Sequence, residues 1–323
     1  MLRKQTPSQP EVTKRRESSL GFHYFNLYQC CPRKFFIKYF CRIVPKYINP
    51  PLVLGSAFHE GKACFYNHTS KSMKVREVDA IKTALQIVEE SKPQIETEEI
   101  YQNIQFRVTN FLHFWIAEMG QYDLQNYKIL YVEKQLLVPI AGTRYKMTIR
   151  PDTILQDRQH GQIYIMETKT SGFSVRVTQQ AVELGDQATS YIFGAKKALG
   201  LDVYGCIPDI SYWNKNTLDV KNIKNERGAI ILRDDYACQS FEKGVAQTLL
   251  EINQKAQAYR KGFDPWILFP RNSYYCTSFS TPCDYAGICY SRVEKLKNLP
   301  CEFRRDTAIR KITNYVEDSI AIL

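Results

Sequence analysis

TRYKMTIRPDTILQDRQHGQIYIMETKTS, residues 143–171, is the stretch that decides the fold. It contains two runs rich in β-forming residues, 143–155 and 162–170, with a polar turn between them. A third run of the same kind, 127–140, ends just before a turn signal at Ala141–Gly142–Thr143. We therefore predict a three-stranded antiparallel meander.

Two carboxylates of this meander are predicted to face each other. Facing residues of an antiparallel hairpin have numbers with a constant sum, and a turn at 157–162 sets that sum at 319. Asp152 and Glu167 meet this condition, so their Cβ atoms would lie ~5 Å apart. Lys169 shares the face of Glu167, because side chains alternate along a strand. The alternative is a surface carboxylate on an edge strand beside an ordinary exposed E-x-K.

Such a cluster suits the hydrolysis of a phosphodiester bond. Two carboxylates this close repel each other unless a cation lies between them. Mg²⁺ and Mn²⁺ prefer oxygen ligands, and either ion can activate water and stabilise charge on a phosphate. A lysine beside them can orient the water or neutralise the developing charge.

Composition narrows the class of protein. The 323 residues are 44% hydrophobic and 24% charged, which excludes a disordered or fibrous chain. The polar start has no apolar signal region and no apolar run reaches ~18 residues, so we expect an intracellular, cytoplasmic protein (host cytoplasm if viral) with no membrane partner. The ten cysteines are then expected to be thiols or metal ligands.

Helices are predicted at 56–69, 75–119 with a break at 91–93, 178–199 and 236–261.

The net charge of +11 is concentrated in three stretches. Residues 1–16 carry +4, residues 31–49 carry +5 and residues 291–311 carry +4, which leaves the rest of the chain slightly acidic. Concentrated basic charge indicates a polyanionic partner, most commonly nucleic acid. The alternative is a solvated basic face that aids solubility.

Four motifs in order resemble the PD-(D/E)XK nuclease superfamily, in its RecB-like branch. R-P-D at 150–152 and E-T-K-T-S at 167–171 match the name-giving motif. G-S-A-F-H-E at 55–60 matches the upstream G-x-x-x-H, and Q-A-T-S-Y at 187–191 matches the downstream Q-x-x-x-Y. The resemblance implies an α/β, restriction-endonuclease-like core with a central mixed β-sheet flanked by helices.

The resemblance also implies roles for individual residues. The implied metal ligands are His59, Asp152, Glu167 and the backbone carbonyl of Thr168. Lys169 would assist the attack, and Gln187 and Tyr191 would support the active site and contact DNA. Arg33 and Lys34 are predicted to contact DNA as well. Glu60 is an alternative acid, although its direction on a helix differs from that of His59 by about 100°.

Cysteines near both ends predict a second metal site. Cys276, Cys283 and Cys289 have the spacing C-x6-C-x5-C and lie in a loop with Pro282 and Gly287. Close cysteines in such a loop are typical of metal sites. The segment C-P-R-K-F, beginning at Cys31, resembles iron–sulfur RecB-like nucleases, including the CRISPR-adaptation nuclease and AddB. That resemblance implies a 4Fe–4S cluster held by these four cysteines and joining the two ends of the chain, although the usual spacing is C-x2-C-x5-C. Zinc, unliganded thiols and Cys30 in place of Cys31 stay open.

The predicted organisation has four parts: a basic tail at 1–17, an N-terminal helical segment at 18–54, a nuclease core at 55–265 with a helical insertion at about 75–120, and a cysteine-rich segment at 266–323.

We expect a metal-dependent deoxyribonuclease, most simply an exonuclease, acting on single- or double-stranded ends in replication, recombination, repair or phage and CRISPR DNA processing. No P-loop motif is present, so a helicase, or a recombination or adaptation factor, would be a separate partner. The alternatives are a non-catalytic DNA-binding or assembly module and a restriction-type endonuclease.

Overall fold

The computed structural model describes residues 21–143, 145–214, 216–278, 281–291, 296 and 299–306. The predicted tail at 1–17 and much of the third basic stretch lie outside these residues. The helices are α1 (Phe22–Cys30), α2 (Pro32–Phe35), α3 (Pro50–Asn67), α4 (Met73–Ser91), α5 (Glu98–Trp115), α6 (Gln121–Asn126), α7 (Val175–Leu184), α8 (Asp186–Leu199), α9 (Asp235–Arg260), α10 (Pro265–Leu268) and α11 (Ala286–Cys289). Turns of π-helix occupy Phe36–Phe40 and Ile116–Gly120.

The strands lie between these helices singly or in groups, and β2 to β6 follow one another directly along the chain. They are β1 (Ile43–Pro45), β2 (Tyr127–Val132), β3 (Leu136–Pro139), β4 (Lys146–Ile149), β5 (Thr153–Asp157), β6 (Ile163–Ser171), β7 (Val203–Tyr212), β8 (Lys224–Arg227), β9 (Thr277–Ser278), β10 (Thr281–Pro282) and β11 (Phe303–Arg305). Within the described ranges, no helix is both long and apolar enough to span a membrane.

The central sheet has five strands in the order β2-β5-β6-β7-β8. Its first three strands pair antiparallel, β6 and β7 pair parallel, and β8 returns antiparallel, so the sheet is mixed as predicted. In the β5–β6 pair, Thr153 faces Met166 and Ile154 faces Ile165, which confirms the predicted sum of 319. Asp152 directly precedes β5, at the position that the same register places beside Glu167.

The two long strands predicted before the 157–161 turn are each broken. The first divides into β2 and β3 at Glu133, whose φ of 49° cannot continue a strand. The second divides into β4 and β5 at Arg150–Asp152, where Pro151 has no N–H for a ladder. The halves far from the 141–143 turn, β2 and β5, join the central sheet, whereas β3 and β4 pair separately. Asp152 and Glu133 therefore lie at two neighbouring strand breaks.

Two helix predictions also change. The helix predicted from residue 56 begins at Pro50, because prolines in a first turn lose no hydrogen bond. The helix predicted at 178–199 is two helices, α7 and α8, which meet at Gly185 in extended conformation.

Alternate residues of the central strands enter different hydrophobic clusters. Ile154 and Ile165 pack with α1, α8, α9 and the β3–β4 hairpin. Leu155 and Met166 point to the opposite face, together with Ile129, which also packs against the aromatic cluster of α3, α4 and α5. Helices therefore flank the sheet on both sides, as the predicted fold class requires.

The two ends of the described chain are joined by direct contacts. β1 pairs antiparallel with β11, and the Tyr285 hydroxyl donates to the carbonyl of Ile43 at 3.1 Å. Arg33 donates to the carbonyls of Trp266 and Phe269 at 2.7 and 3.2 Å. The N-terminal helices are thereby fixed to the segment that follows α9.

Helix α3 lies close to its neighbours at Gly61. A Cβ there would lie 2.5 Å from Leu112 Cδ1 and 3.1 Å from the backbone oxygen of Ala80. We expect Gly61→Ala to lower the free energy of unfolding by about 1–3 kcal/mol, because overpacking outweighs the better helix propensity. Gly244→Ala, on the exposed face of α9 with no atom within 4 Å of its Cβ, should instead raise that free energy by up to about 1 kcal/mol. Chemical denaturation checks both; equal effects would contradict the close packing.

Candidate metal and catalytic site

One stripe of α3 faces the end of the sheet. Gly55, His59, Lys62 and Tyr66 follow the spacing of one helix face. A Cβ at Gly55 would contact Thr170 Oγ1 at 3.4 Å, and the Tyr66 hydroxyl lies 3.5 Å from Met166 Sδ, so the helix runs antiparallel to β6. Close approach at Gly55 brings His59 to the strand break that holds Asp152.

His59, Glu133 and Asp152 form a group that could hold a metal ion, with ligand atoms all within 4.8 Å of one another. His59 Nδ1 lies 3.2 Å from Asp152 Oδ1 and 3.5 Å from Glu133 Oε1. Glu133 was not predicted, because the sequence places it inside a continuous strand. Its positive φ turns the chain here, and its N–H donates to the Asp152 carbonyl at 2.9 Å. A single acid in a run rich in β-forming residues was the only signal.

The electrostatics of this group favour a cation. Burial alone would lower the pKa of His59, but Asp152 and Glu133 outweigh it and raise that pKa to about 9. Burial would raise the pKa of Asp152, but His59, Lys169 and the Thr168 N–H outweigh it and lower that pKa to about 2. Protonated His59 thus supplies a positive charge beside two carboxylates, and a metal bound here would displace its proton.

Glu167 is fully buried beside this group. Burial and the neighbouring charge of Asp152 raise its pKa to about 7, although Lys169 acts in the opposite direction. Lys169 Nζ lies 2.5 Å from Glu167 Oε1, whereas Oε2 has no hydrogen-bond partner in the described part of the chain. A buried oxygen without a partner is costly, and a hard cation would satisfy it.

The Q-x-x-x-Y motif holds Lys169. Gln187 Oε1 accepts a hydrogen bond from Lys169 Nζ at 2.9 Å, and Gln187 Nε2 donates to the Tyr191 hydroxyl at 2.9 Å. Tyr191 is buried behind Gln187 in α8. This chain of contacts orients the lysine, while contact of Gln187 and Tyr191 with DNA stays a prediction.

The donor set fits a divalent metal, although the sequence-derived ligands are not all in one group. His59 and Asp152 lie together with Glu133, and Glu167 is outside the group of mutually close ligand atoms. Thr168 donates its N–H to Asp152 Oδ2 at 2.8 Å. The ligand roles of Glu167 and of the Thr168 carbonyl stay predictions. Glu60, the alternative acid, is likewise outside the group.

The four cysteines of the predicted second site are neighbours. Burial raises the pKa of the Cys289 thiol, and the charges of Cys31, Cys276 and Cys283 raise it further. Cys30 lies 3.6 Å from Asn26 Oδ1 and also interacts with Tyr275, so the choice between Cys30 and Cys31 stays a prediction. No three of the described thiols lie within 4.8 Å of one another, whereas tetrahedral zinc would bring sulfurs to ~3.8 Å.

Arg33 and Lys34, the predicted DNA contacts, lie next to these cysteines. The Arg33 guanidinium stacks on Trp266 at 4.5 Å and donates to the Cys289 carbonyl at 3.4 Å, in addition to its other carbonyl contacts. Lys34 Nζ lies 3.7 Å from Asp284. Both side chains have intramolecular partners, and their contact with DNA stays a prediction.

A family model described as the PD-(D/E)XK nuclease superfamily matches residues 22–290. The chain belongs to this superfamily. Two solved structures show a weak similarity: an alkaline exonuclease, LHK-Exo, from Laribacter hongkongensis (13% identity, TM-score 0.29) and LHK-Exo in complex with dAMP (12% identity, TM-score 0.28). Each comparison covers 64% of this chain and 94% of the other, at scores too low to support an argument about function. No curated protein matches the chain.

The role of Glu133 can be tested against that of Glu60. We expect Glu133→Gln to weaken Mn²⁺ binding by roughly 10-fold or more, because it removes a charge that faces both His59 and Arg150. Glu60→Gln, on the same helix as His59 but pointing elsewhere, should leave Mn²⁺ affinity unchanged. Isothermal titration calorimetry measures both, and the reverse ranking would assign the metal to Glu60.

Proposed function

We propose that this member of the superfamily is a Mg²⁺- or Mn²⁺-dependent deoxyribonuclease that acts as an exonuclease. One observation carries the proposal: His59, Glu133 and Asp152 converge at the end of the sheet where β6 presents Glu167 and Lys169. The exonuclease mode rests on the resemblance of the four motifs to RecB-like nucleases. DNA replication, recombination, repair and phage or CRISPR processing are settings compatible with it.

The chain's own residues divide the work of hydrolysis. A divalent cation supplies Lewis acidity and positive charge at the phosphate. Asp152 and His59 would hold it, and Glu133 and Glu167 would add negative charge around the same point. Lys169 Nζ, fixed between Glu167 and Gln187, orients the attacking water or stabilises the charge that develops on the phosphate.

Nuclease activity is tested on labelled linear DNA with Mg²⁺ or Mn²⁺. We expect Asp152→Ala and Lys169→Ala each to lower the cleavage rate by at least about 100-fold, because each removes a charge from the reacting centre. Lys196→Ala is the control, since this α8 lysine pairs with Asp235 on α9. Full activity of Lys169→Ala would contradict the site, and DNA binding without cleavage by the unaltered protein would favour the non-catalytic alternative.

The exonuclease mode has its own test. A linear duplex should be degraded, whereas a covalently closed circle of the same sequence should survive, because an exonuclease needs an end. Blocking one or both ends of the linear substrate then reports the polarity. Cleavage of the circle at the rate of the linear duplex would contradict the exonuclease proposal and favour an endonuclease.

We further propose that Cys31, Cys276, Cys283 and Cys289 hold a 4Fe–4S cluster. The support is the proximity of Cys31, Cys276 and Cys283 to the Cys289 thiol, together with the contacts that bring Arg33 to Trp266 and Phe269. Such a cluster would close a long loop and stabilise the folded chain against unfolding.

Protein purified without oxygen should be brown and contain iron. Cys289→Ser should lose that iron and lower the melting temperature by roughly 5–10 °C, in proportion to the lost loop closure. Cys301→Ser, at an exposed cysteine of the same segment, should change neither. Metal analysis and thermal unfolding decide the point: zinc in place of iron, or an unchanged melting temperature in Cys289→Ser, would contradict the cluster.

A further inference from the structure

A buried ion pair lies directly behind the candidate site, on the opposite face of β6. Lys62 and Asp209 are only 3% and 1% exposed, and the Lys62 ammonium donates to the Asp209 carboxylate. The same ammonium donates to Thr168 Oγ1 at 2.7 Å. Neither residue of the pair takes part in the hydrolysis described above.

Further groups complete the pair's surroundings. Trp115 Nε1 donates to Asp209 Oδ2 at 2.9 Å, and Arg227, 3.5 Å from Asp209 Oδ1, also binds Asp123. Burial would raise the pKa of Asp209, but Lys62 and Arg227 outweigh it and lower that pKa. Two positive and two negative side chains thus balance one another, as buried charges require.

Thr168 connects this network to the candidate site. It lies between Glu167 and Lys169 in β6 and is the register partner of Asp209 in β7. Its side chain points to Lys62, while its backbone N–H donates to Asp152 Oδ2. A shift of the Thr168 peptide would therefore change the position of Asp152 and the two residues that flank Thr168.

We propose that Lys62 and Asp209 are positioning residues, which fix the Thr168 peptide through its hydroxyl and thereby set the geometry of the metal site. This inference rests on the proposed function, since it concerns the same site. His59 and Lys62 lie on one face of α3, so the helix that brings His59 to Asp152 also fixes the strand behind it.

A purely structural role would not require this particular contact. Apolar residues can often replace a buried ion pair without loss of stability, so the pair is poor support for stability alone. A metal site is different, because its ligands must be held within about 0.5 Å of the productive geometry. The hydrogen bond to Thr168 supplies such a restraint at the peptide whose N–H donates to the Asp152 carboxylate.

The test compares Mn²⁺ binding by calorimetry with the free energy of unfolding. Thr168→Val removes the hydroxyl at nearly constant shape, and Lys62→Met removes the charge. We expect each to weaken Mn²⁺ binding by roughly 10-fold or more, as loss of a contact behind a metal ligand does. Thr168→Ser should recover most of the affinity that Thr168→Val loses.

Tyr66→Phe is the matched control. It removes a buried hydrogen bond from the same face of α3, to Asp123 at 2.6 Å, without contacting Thr168. It should lower stability but leave Mn²⁺ affinity unchanged. Unaltered Mn²⁺ binding in Thr168→Val, or equal weakening in Tyr66→Phe, would overturn the inference. A protein that binds Mn²⁺ in this pattern but cuts no DNA would instead contradict the nuclease function alone.

Discussion

The antiparallel pairing of β5 and β6 is the constraint on which the site depends. Its register holds Asp152 beside Glu167 in a buried place where two carboxylates cannot both stay ionised without nearby positive charge. The rest of the site supplies that charge from both sides. His59 approaches Asp152 from α3, and Lys169 lies against Glu167. A divalent cation would complete the same balance.

Helix α3 contributes both to the candidate site and to the network behind β6. Its residues Gly55, Lys62 and Tyr66 contact β6, and its His59 contacts Asp152, just before β5. One rigid element therefore carries a candidate ligand and a residue that restrains the strand. The packing of Gly61 against α4 and α5 fixes the helix in turn, so the helical layer between residues 73 and 115 contributes to the geometry of a site that it does not touch.

The parts of the site that depend on local geometry were predictable from the sequence. A turn of known length sets the β5–β6 register, and one helical turn brings Gln187 next to Tyr191. Glu133 was not predictable, because its position depends on a positive φ that interrupts the strand, and the β-forming pattern of residues 127–140 gives no sign of this break. The Lys62–Asp209 pair joins residues 147 positions apart, and no spacing rule relates helix α3 to β7, which is the sixth strand after it along the chain.

The joined ends of the chain show why a cluster would strengthen an existing arrangement. The Arg33 guanidinium donates to three backbone carbonyls of the C-terminal segment and stacks on Trp266. These contacts position Cys31 near Cys289 without any metal. Because the entropic cost of bringing the two ends together is then already partly met, four thiolates can bind a cluster with less ordering of the chain. Arg33, in the C-P-R-K-F segment, thus has a structural role that does not depend on contact with DNA.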